Sequence, residues 1–585
     1  MDLFPLTWKE ATVTPIFKNK VSASDPENYR PISLLPCLSK ILEKIVFNRI
    51  YEHSITHHLL TEKQSGYRPH HCTQLQLMYL THNLYKSLDG GRDMTAVFLD
   101  ISKYFDKIWH EGLIFKCKNE FFISGSLLSW LNSYLTDRRQ KVRIEDAHSN
   151  TLTLNAGCPQ GSVLGPLLAL IYLNGLADLT TNDILFYADD TSIYTTHKND
   201  DIHTATETLQ RDLDTIYKYG KTWAITFSAA KTAQITFTNK VNSLSPALTF
   251  AQQPIPKTTT HKHLGLTLSQ DLRFHEHINT VIRKVNIALS PLYPVAQQLP
   301  RQVLNIIYKT YIQPYFDYCD TIYDGHLTVH DELRLERLQN RAARLVTGTP
   351  FRTSTNKLRE ELGWDSLKTR RKIHRLTFYR RLYHTQDMIP SYIQNILPQT
   401  RHSDTGQTLR NANTNTTTFS KTSSFHRSFI PDTTNKWNLL PEILRSEPSQ
   451  KMFKKQISEL YGIPYPSEFY SFGSKAGNVN HTKIRCGSFE LNSYLYQIQK
   501  SSTPACACGF HLEDSAHFVL HCPTYCKIRD DCFNDISAIL KYNFSTLRPP
   551  EKLKILLHGS TLDTGSGRRV AWHFQNYLQE AKQLR

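Results

Sequence analysis

A pair of adjacent aspartates between two strand-like segments constrains the fold of this chain more than any other feature. Asp189 and Asp190 interrupt the run Ile184–Tyr194, where β-branched and aromatic residues favour strands on both sides and glycine would be the usual hairpin residue. Upstream, the apolar run Ala96–Asp100 also ends in a carboxylate. A strand and a hairpin ending in carboxylates could together hold divalent cations, although adjacent aspartates are also common on solvated turns.

The length and charge of the chain indicate several domains and an anionic partner. At 585 residues the chain is too long for one typical domain. Lys and Arg number 69 against 52 acidic residues, a net charge of +17. This excess favours nucleic acid as a partner, although a basic protein without such a partner fits the charge equally well.

No segment of the sequence predicts a membrane protein. The amino terminus lacks the basic and apolar regions of a signal peptide, and the apolar stretch 163–173 is interrupted by Gly165 and Pro166 and is too short to span a bilayer. Most of the 11 cysteines are scattered, a pattern that favours thiols and metal ligands over disulfides. We expect an intracellular protein.

Hydrophobic periodicity predicts an α+β region followed by a helical one. A helix is expected from Leu38 to about Glu52, with Leu38, Ile41, Leu42 and Ile45 on its apolar face. Strand-like runs at 96–101, 184–194, 233–237 and 264–268 alternate with helical stretches such as 201–219. From 277 to about 392 the pattern is mainly helical, with interleaved basic residues at Lys309, Arg334, Arg337, Arg341, Arg344, Arg370, Arg371, Lys372 and Arg375.

A cysteine and histidine cluster near the carboxyl terminus predicts a zinc site. Cys506, Cys508, His517 and Cys522 have C-x-C-x8-H-x4-C spacing, and these ligands can close a tetrahedral Zn²⁺ site. The alternative is a set of buried free thiols and a core histidine.

Three segments carry a resemblance to a known family. Phe98–His110, Gly157–Leu168 and Phe186–Asp190 have the order and spacing of reverse transcriptase motifs A, B and C, in a version that resembles the jockey-like non-LTR retrotransposons. The resemblance extends to flanking blocks at 8–18, 28–34, 64–68, 223–231 and 263–266. It is dense from residue 5 to about 350 and looser beyond.

The resemblance implies an α+β polymerase with a right-hand arrangement. Fingers and palm would occupy 1–275 and a helical thumb-like domain 276–395, where the basic residues named above would contact the phosphates of a duplex. A Ser/Thr/Asn-rich linker at 396–436 and a carboxyl-terminal region at 437–585, with the zinc-knuckle-like motif, would follow.

The resemblance also assigns site residues. Asp100, Asp189 and Asp190 would hold two Mg²⁺ or Mn²⁺ ions, and Lys231 would protonate the leaving pyrophosphate. Phe105 would exclude a 2′-hydroxyl under the incoming sugar. Outside the resemblance, Phe105 fits core packing and Lys231 fits a surface charge. The remaining nucleotide-binding residues would be Lys18, Arg30, Gln160 and Gly161.

The expected function is RNA-directed DNA polymerisation. Its partners would be an RNA template, a DNA primer or nicked target DNA and dNTPs, in a ribonucleoprotein of the nucleus and cytoplasm. A catalytically decayed nucleic-acid-binding remnant is the alternative, and a group II intron maturase is disfavoured by the jockey-like blocks. Tyr104 stands where the family usually has alanine, so we expect it to crowd the nucleotide pocket. No endonuclease precedes the first fingers block, which suggests a truncated reading frame.

Overall fold

The computed structural model describes residues 3–18, 22–400, 414–462, 473–559, 562 and 564–584, and it mixes helices with sheets. The strands are β1 (Glu10–Phe17), β2 (Tyr29–Leu34), β3 (Asp93–Asp100), β4 (Arg138–Ile144), β5 (Ala147–His148), β6 (Leu152–Leu154), β7 (Asp183–Tyr187), β8 (Asp190–His197), β9 (Ala233–Phe237), β10 (Thr249–Phe250), β11 (Gln253–Pro254), β12 (Thr260–His263) and β13 (Leu266–Ser269).

Further helices follow the last strand, and the last one described ends at Leu584. The first twelve are α1 (Cys37–Thr56), α2 (Thr73–Asp89), α3 (His110–Asn119), α4 (Gly125–Leu135), α5 (Gly165–Leu173), α6 (Ile202–Thr222), α7 (His275–Leu289), α8 (Leu292–Val295), α9 (Arg301–Ile307), α10 (Gln313–Asp317), α11 (Asp320–Tyr323) and α12 (Val329–Thr347). The others are α13 (Thr355–Leu362), α14 (Leu367–His384), α15 (Ser391–Gln394), α16 (Ser423–Arg427), α17 (Phe429–Asn438), α18 (Glu442–Arg445), α19 (Gln450–Tyr461), α20 (Lys475–Arg485), α21 (Asn492–Gln497), α22 (Cys526–Leu540), α23 (Pro549–His558) and α24 (Thr564–Leu584).

The chain divides into two compact units. The first comprises Met1–Phe274 and Arg381–Leu439, and the second His275–Arg380 and Leu440–Arg585. The four-part division expected from the resemblance is finer than these two units and stays a prediction. Each helix among the described residues is too short or too polar to span a lipid bilayer.

A four-stranded antiparallel sheet organises the first unit. Its strand order is β7-β8-β3-β9, which confirms the strands predicted around residues 96–101, 184–194 and 233–237. Helix α6 packs on the core through Leu209, Leu213 and Ile216, as its periodicity predicted. In the second sheet, β1 pairs antiparallel with β2 and parallel with β4. Strands of both sheets carry predicted site residues: Asp100 ends β3, Asp190 begins β8 and Arg30 lies on β2.

Helix α1 forms as predicted, but with a different face in the core. Leu38, Ile41 and Ile45 are 63%, 60% and 48% exposed, whereas the buried side chains include Glu43 and Ile50. The apolar positions that predicted the helix therefore lie mostly on its exposed side, although Leu42 packs against the core. Glu43 is buried because it accepts several hydrogen bonds, described below.

Part of the expected linker is folded. Residues 401–413 lie outside the described residues, but α16 and α17 occupy much of 423–436. Phe425, Phe429 and Ile430 are buried, and the Phe425 ring packs edge-on against His82 of α2 at 5.5 Å. The linker prediction was wrong here because these apolar residues outweigh the Ser, Thr and Asn around them.

The described part of the second unit is helical. Near its carboxyl terminus α20, α22, α23 and α24 contribute to a core that includes Phe518, Phe574 and Leu578. Two members of the predicted zinc group, Cys506 and Cys522, are buried in this core.

Candidate active site

Asp100, Asp189 and Asp190 meet at one end of the four-stranded sheet. The register of β3 and β8 places Asp100 directly opposite Asp190, and directly opposed residues project on the same face of a sheet with Cβ atoms about 4.5–5.5 Å apart. Asp189 lies in the two-residue turn between β7 and β8. The sequence prediction that these residues converge agrees with this geometry.

The turn that carries Asp189 is held by the segment 64–66. Ala188, the first turn residue, has φ of +58°, a conformation in which glycine is usual. The Gln64 Oε1 accepts from the Ala188 N–H at 2.9 Å, and Gln64 Nε2 donates to the Ala188 carbonyl at 3.2 Å. A Cβ on Gly66 would lie 2.2 Å from the Ala188 nitrogen, so only glycine fits there. Sequence analysis gave Gln64 no role.

The aspartates form a partly desolvated negative cluster. Burial is the main cause that raises the pKa of Asp189, and Asp100 raises it further, while Lys231 and Arg30 oppose the shift. Burial, then the neighbouring Asp189 and Asp100, raises the pKa of Asp190 to about 6. Such a cluster favours a positive charge among its oxygens.

Lys231 supplies one such charge. Its Nζ lies 2.7 Å from Oδ2 of Asp100. The backbone places it there, because the Ser228 N–H donates to the Asp100 carbonyl and the Lys231 N–H donates to the Ser228 carbonyl. The structure thus brings this sequence-predicted lysine to the aspartates.

The loop before α5 contacts both the segment that follows β3 and strand β2. The Gln160 Nε2 donates to Asp106 Oδ1 at 2.9 Å, and the Gln160 carbonyl accepts from the Ser33 N–H at 2.7 Å. Gly161 has φ of +135°, and a Cβ there would lie 2.4 Å from the Ser33 carbonyl oxygen. Glycine is therefore required for the close approach of this loop to β2.

Glu43 of α1 holds this loop through hydrogen bonds to residues 162–164. The sequence analysis did not predict this role. Its side chain is fully buried. Its Oε2 accepts from the Ser162 hydroxyl at 2.6 Å, the Val163 N–H at 2.8 Å and the Leu164 N–H at 3.3 Å. A carboxylate at this place satisfies amides at the start of α5 and matches the helix dipole. A charged residue inside a helical apolar pattern was the available signal.

The other residues predicted to contact the nucleotide, Lys18, Arg30 and Phe105, differ in their surroundings. Arg30 on β2 is exposed and close enough to Asp189 to lower the pKa of that carboxyl. Lys18 donates from Nζ to the Glu27 carbonyl at 2.9 Å. Phe105 is partly buried, and its ring lies 6.0 Å from that of Tyr67 in an edge-on arrangement. Arg30 therefore lies within electrostatic reach of the cluster, and Phe105 follows strand β3, which ends at Asp100.

Tyr104 does not crowd this site. Its side chain is 5% exposed and belongs to the hydrophobic core, and its hydroxyl donates to the Ala169 carbonyl of α5. The expectation of crowding was wrong because the ring turns into the core, where it fills volume that alanine would leave.

The predicted zinc ligands come together in the second unit. The Sγ atoms of Cys506 and Cys522 are 3.7 Å apart, and Cys508 Sγ lies 3.2 Å from His517 Nε2. All four ligand atoms lie within 4.8 Å of one another. Zn–S bonds of about 2.3 Å in a tetrahedron place two sulfurs roughly 3.8 Å apart, so the donor set fits zinc in kind and spacing.

Several arginines expected to contact nucleic acid are instead used in ion pairs. Arg370 bonds Asp317 through Nε and Nη2 at 2.6 and 2.7 Å. Arg371 and Arg375 are 2% and 0% exposed and pair with Asp324. The prediction that these three meet phosphates was wrong, because they are paired with Asp317 of α10, Asp324 after α11 and Glu332 of α12.

Comparison with known proteins places the aspartate cluster inside a family match. Residues 16–268 match the family described as reverse transcriptase (RNA-dependent DNA polymerase). The RNA-directed DNA polymerase from mobile element jockey of Drosophila melanogaster is 30% identical over 373 residues, which are 61% of this chain and 40% of that protein. The probable RNA-directed DNA polymerase from transposon X-element of the same species is 28% identical, over 68% of this chain and 44% of that protein.

The chain thus spans less than half the length of these relatives. Among solved structures, a Candida tropicalis telomerase in complex with a fragment of telomeric RNA aligns over 77% of this chain and 64% of its own, with a TM-score of 0.33 and 10% identity. Every site residue discussed from Lys18 to Lys231 lies inside the matched segment, and the Cys/His group lies outside it.

Proposed function

Because residues 16–268 match the family described as reverse transcriptase (RNA-dependent DNA polymerase), we propose that this chain is an RNA-directed DNA polymerase of a non-LTR retrotransposon. In the proposed reaction the 3′-hydroxyl of a DNA primer, paired to an RNA template, attacks the α-phosphorus of a dNTP. A new phosphodiester bond forms and pyrophosphate leaves. The observation that carries the proposal is the opposition of Asp100 and Asp190 across β3 and β8, beside Asp189, within the matched segment.

The aspartates fit divalent metal ions of the magnesium class. Their donors are hard carboxylate oxygens, and burial and mutual repulsion raise the pKa of Asp189 and Asp190, a destabilisation that a bound cation relieves. Two Mg²⁺ or Mn²⁺ ions, when bound, would activate the primer hydroxyl and stabilise charge on the leaving pyrophosphate. Asp100, Asp189 and Asp190 would hold them.

The cationic side chains would act on the triphosphate. Lys231 is ion-paired with Asp100 at 2.7 Å, so its ammonium lies at the site and could give a proton to the leaving pyrophosphate. Arg30 lies within electrostatic reach of Asp189 and would offset the charge that develops on the phosphates. Lys18 would also bind the triphosphate, once its hydrogen bond to the Glu27 carbonyl breaks.

Phe105 and the 157–165 loop would select and seat the nucleotide. A ring at position 105 would collide with a 2′-hydroxyl and so favour dNTPs over rNTPs. Gln160, held by Asp106 at 2.9 Å, would contact the nucleotide or template, and Gly161 would let the backbone approach closely.

We also propose the right-hand arrangement of a polymerase from the match over residues 16–268. The four-stranded sheet would be the palm, β1 and β2 would belong to the fingers, and residues 276–395, with helices α7 to α15, would form a thumb. In the second unit, Cys506, Cys508, His517 and Cys522 would bind one structural Zn²⁺.

A primer-extension assay with the full chain tests the proposal. The wild-type protein should add dNTPs to a labelled DNA primer on an RNA template with Mg²⁺ or Mn²⁺, and Asp189→Ala should abolish addition. Undiminished synthesis by Asp189→Ala would contradict the mechanism. Template binding by the wild-type protein without incorporation with either ion would instead support the decayed remnant.

A further inference from the structure

A cleft in the second unit, outside the site described above, has the features of a phosphate-binding site. It has a volume of about 400 Å³, within the range of small-ligand sites. Three segments form it: residues 352–357 at the start of α13, residues 486–497 after α20 and through α21, and Asp514 and Ser515 of the Cys/His segment. We call it the 352–515 cleft.

Two cations face this cleft without acidic partners. Among the described residues no carboxylate oxygen lies within 4.0 Å of the charged nitrogens of Arg352 or Lys357. Arg352 donates from Nη1 to the Ile498 carbonyl at 3.1 Å, which leaves other donors of its guanidinium available. Lys357 reaches across the cleft, since its Nζ lies 3.7 Å from the position of a Cβ on Gly487. Arg370, Arg371 and Arg375 are ion-paired by contrast.

The backbone adds donors at the same place. Helix α13 begins at Thr355, and the side chain of Ser354 before it makes no capping hydrogen bond. The first amides of a helix point outward and carry partial positive charge, which favours a phosphate. Thr353, which lines the cleft and is 3% exposed, has a hydroxyl without a hydrogen-bond partner in the described part of the chain.

The remaining lining residues indicate which phosphate compound fits. Tyr494, half-buried on α21, presents an aromatic ring beside the cations, and nucleobases stack on such rings at about 1–3 kcal/mol per base. Asp514 is the acidic residue in the lining, and its Oδ1 accepts from the His517 N–H at 2.8 Å. An acidic peptide would use the cations but not the ring.

We propose that the 352–515 cleft binds a single-stranded nucleic acid, with a backbone phosphate between Arg352, Lys357 and the start of α13, and a base against Tyr494. Binding of this kind reads the backbone and not the sequence. It is separate from the aspartate cluster and does not depend on the polymerase reaction proposed above.

Fluorescence anisotropy with the full chain and a labelled oligo-uridylate tests the cleft without requiring catalysis. The double variant Arg352→Ala/Lys357→Ala should raise the dissociation constant about tenfold and lower the salt slope by roughly 1.4, the loss expected for two single-strand phosphate contacts. Lys454→Ala/Lys455→Ala is the matched control, since it removes the same charge from exposed positions of α19 outside the cleft lining. Equal binding by the two double variants would overturn the proposal.

Photo-crosslinking provides a second test, and it uses only the wild-type protein, so misfolding of a variant cannot affect the result. RNA that contains 4-thiouridine should crosslink to a peptide that includes Tyr494. Crosslinks confined to residues 16–268 would overturn the proposal while leaving the polymerase function intact. If inorganic phosphate displaces the RNA from the wild-type protein, the cleft is a site for free phosphate. That result would also overturn the proposal.

Discussion

At the scale of single residues, Glu43 is the side chain that sequence reasoning had least chance of assigning. The aspartates and Lys231 could be predicted because they lie in segments that resemble motifs of a known family. Glu43 lies in a helix whose apolar pattern predicts a different buried face, and its partners at 162–164 are more than a hundred residues away in sequence. Only the folded chain brings its carboxylate to those amides.

We predict that Glu43→Gln lowers the turnover rate for single-nucleotide addition about tenfold, with a smaller change in thermal stability. Glutamine keeps the shape but weakens the acceptor for the Val163 and Leu164 amides, and displaced catalytic loops are costly. Asp212→Asn is the matched control, since Asp212 is 1% exposed and accepts from the backbone amides of Thr181 and Asn182. Equal loss of rate and of melting temperature in both variants would mean that Glu43 is only structural.

Tyr104 gives a second residue-scale prediction. Tyr104→Ala should destabilise the protein by about 3–5 kcal/mol, because removal of a core aromatic leaves a cavity. Tyr104→Phe, which loses only the bond to the Ala169 carbonyl, should cost about 1 kcal/mol. Denaturant unfolding measures both. An increase in primer extension with Tyr104→Ala would show that the ring obstructs the nucleotide and would contradict its assignment to the core.

At the scale of elements, the strands and helix α6 were predictable because their buried positions follow simple periods. The linker at 396–436 was not, since its few large apolar residues pack on α2, a distant helix, and its composition alone resembles a solvated segment. The same reason explains Arg371 and Arg375, because charged residues on a helix look solvated until their acidic partners are known.

The β12–β13 hairpin carries a prediction about pH. Burial lowers the pKa of His263 to about 3, and its Nε2 has no hydrogen-bond partner among the described residues. The native histidine stays neutral, whereas the unfolded one gains a proton below about pH 6.5. Stability therefore falls as the pH falls from about 6.5 toward 3.

His263→Phe removes this dependence. At pH 5.5 it should recover about 1.4 kcal/mol that the wild-type protein loses relative to neutral pH. The gain in melting temperature should therefore be larger at pH 5.5 than at pH 7.5. His148→Phe, at an exposed position of β5, is the control and should shift both values alike. A pH-independent effect of His263→Phe would contradict a buried neutral histidine.

At the scale of the whole molecule, the Cys/His group gives a prediction about the second unit. Purified protein should contain one zinc per chain, and Cys508→Ser should lose it, because Cys508 lies 3.2 Å from His517 within the four-ligand group. Cys526→Ser should retain it, since Cys526 is exposed and lies outside the group. Elemental analysis decides this. Zinc-free wild-type protein, or full zinc in Cys508→Ser, would refute the site.

We propose that the opposed aspartates of the first unit hold the metal ions for nucleotide addition on an RNA template. The most direct measurement is single-nucleotide incorporation by the wild-type protein, Asp190→Asn and the control Asp212→Asn, with RNA template, DNA primer and Mg²⁺. We expect incorporation by the wild type and by Asp212→Asn and none by Asp190→Asn. Incorporation by Asp190→Asn at the wild-type rate would contradict the claim.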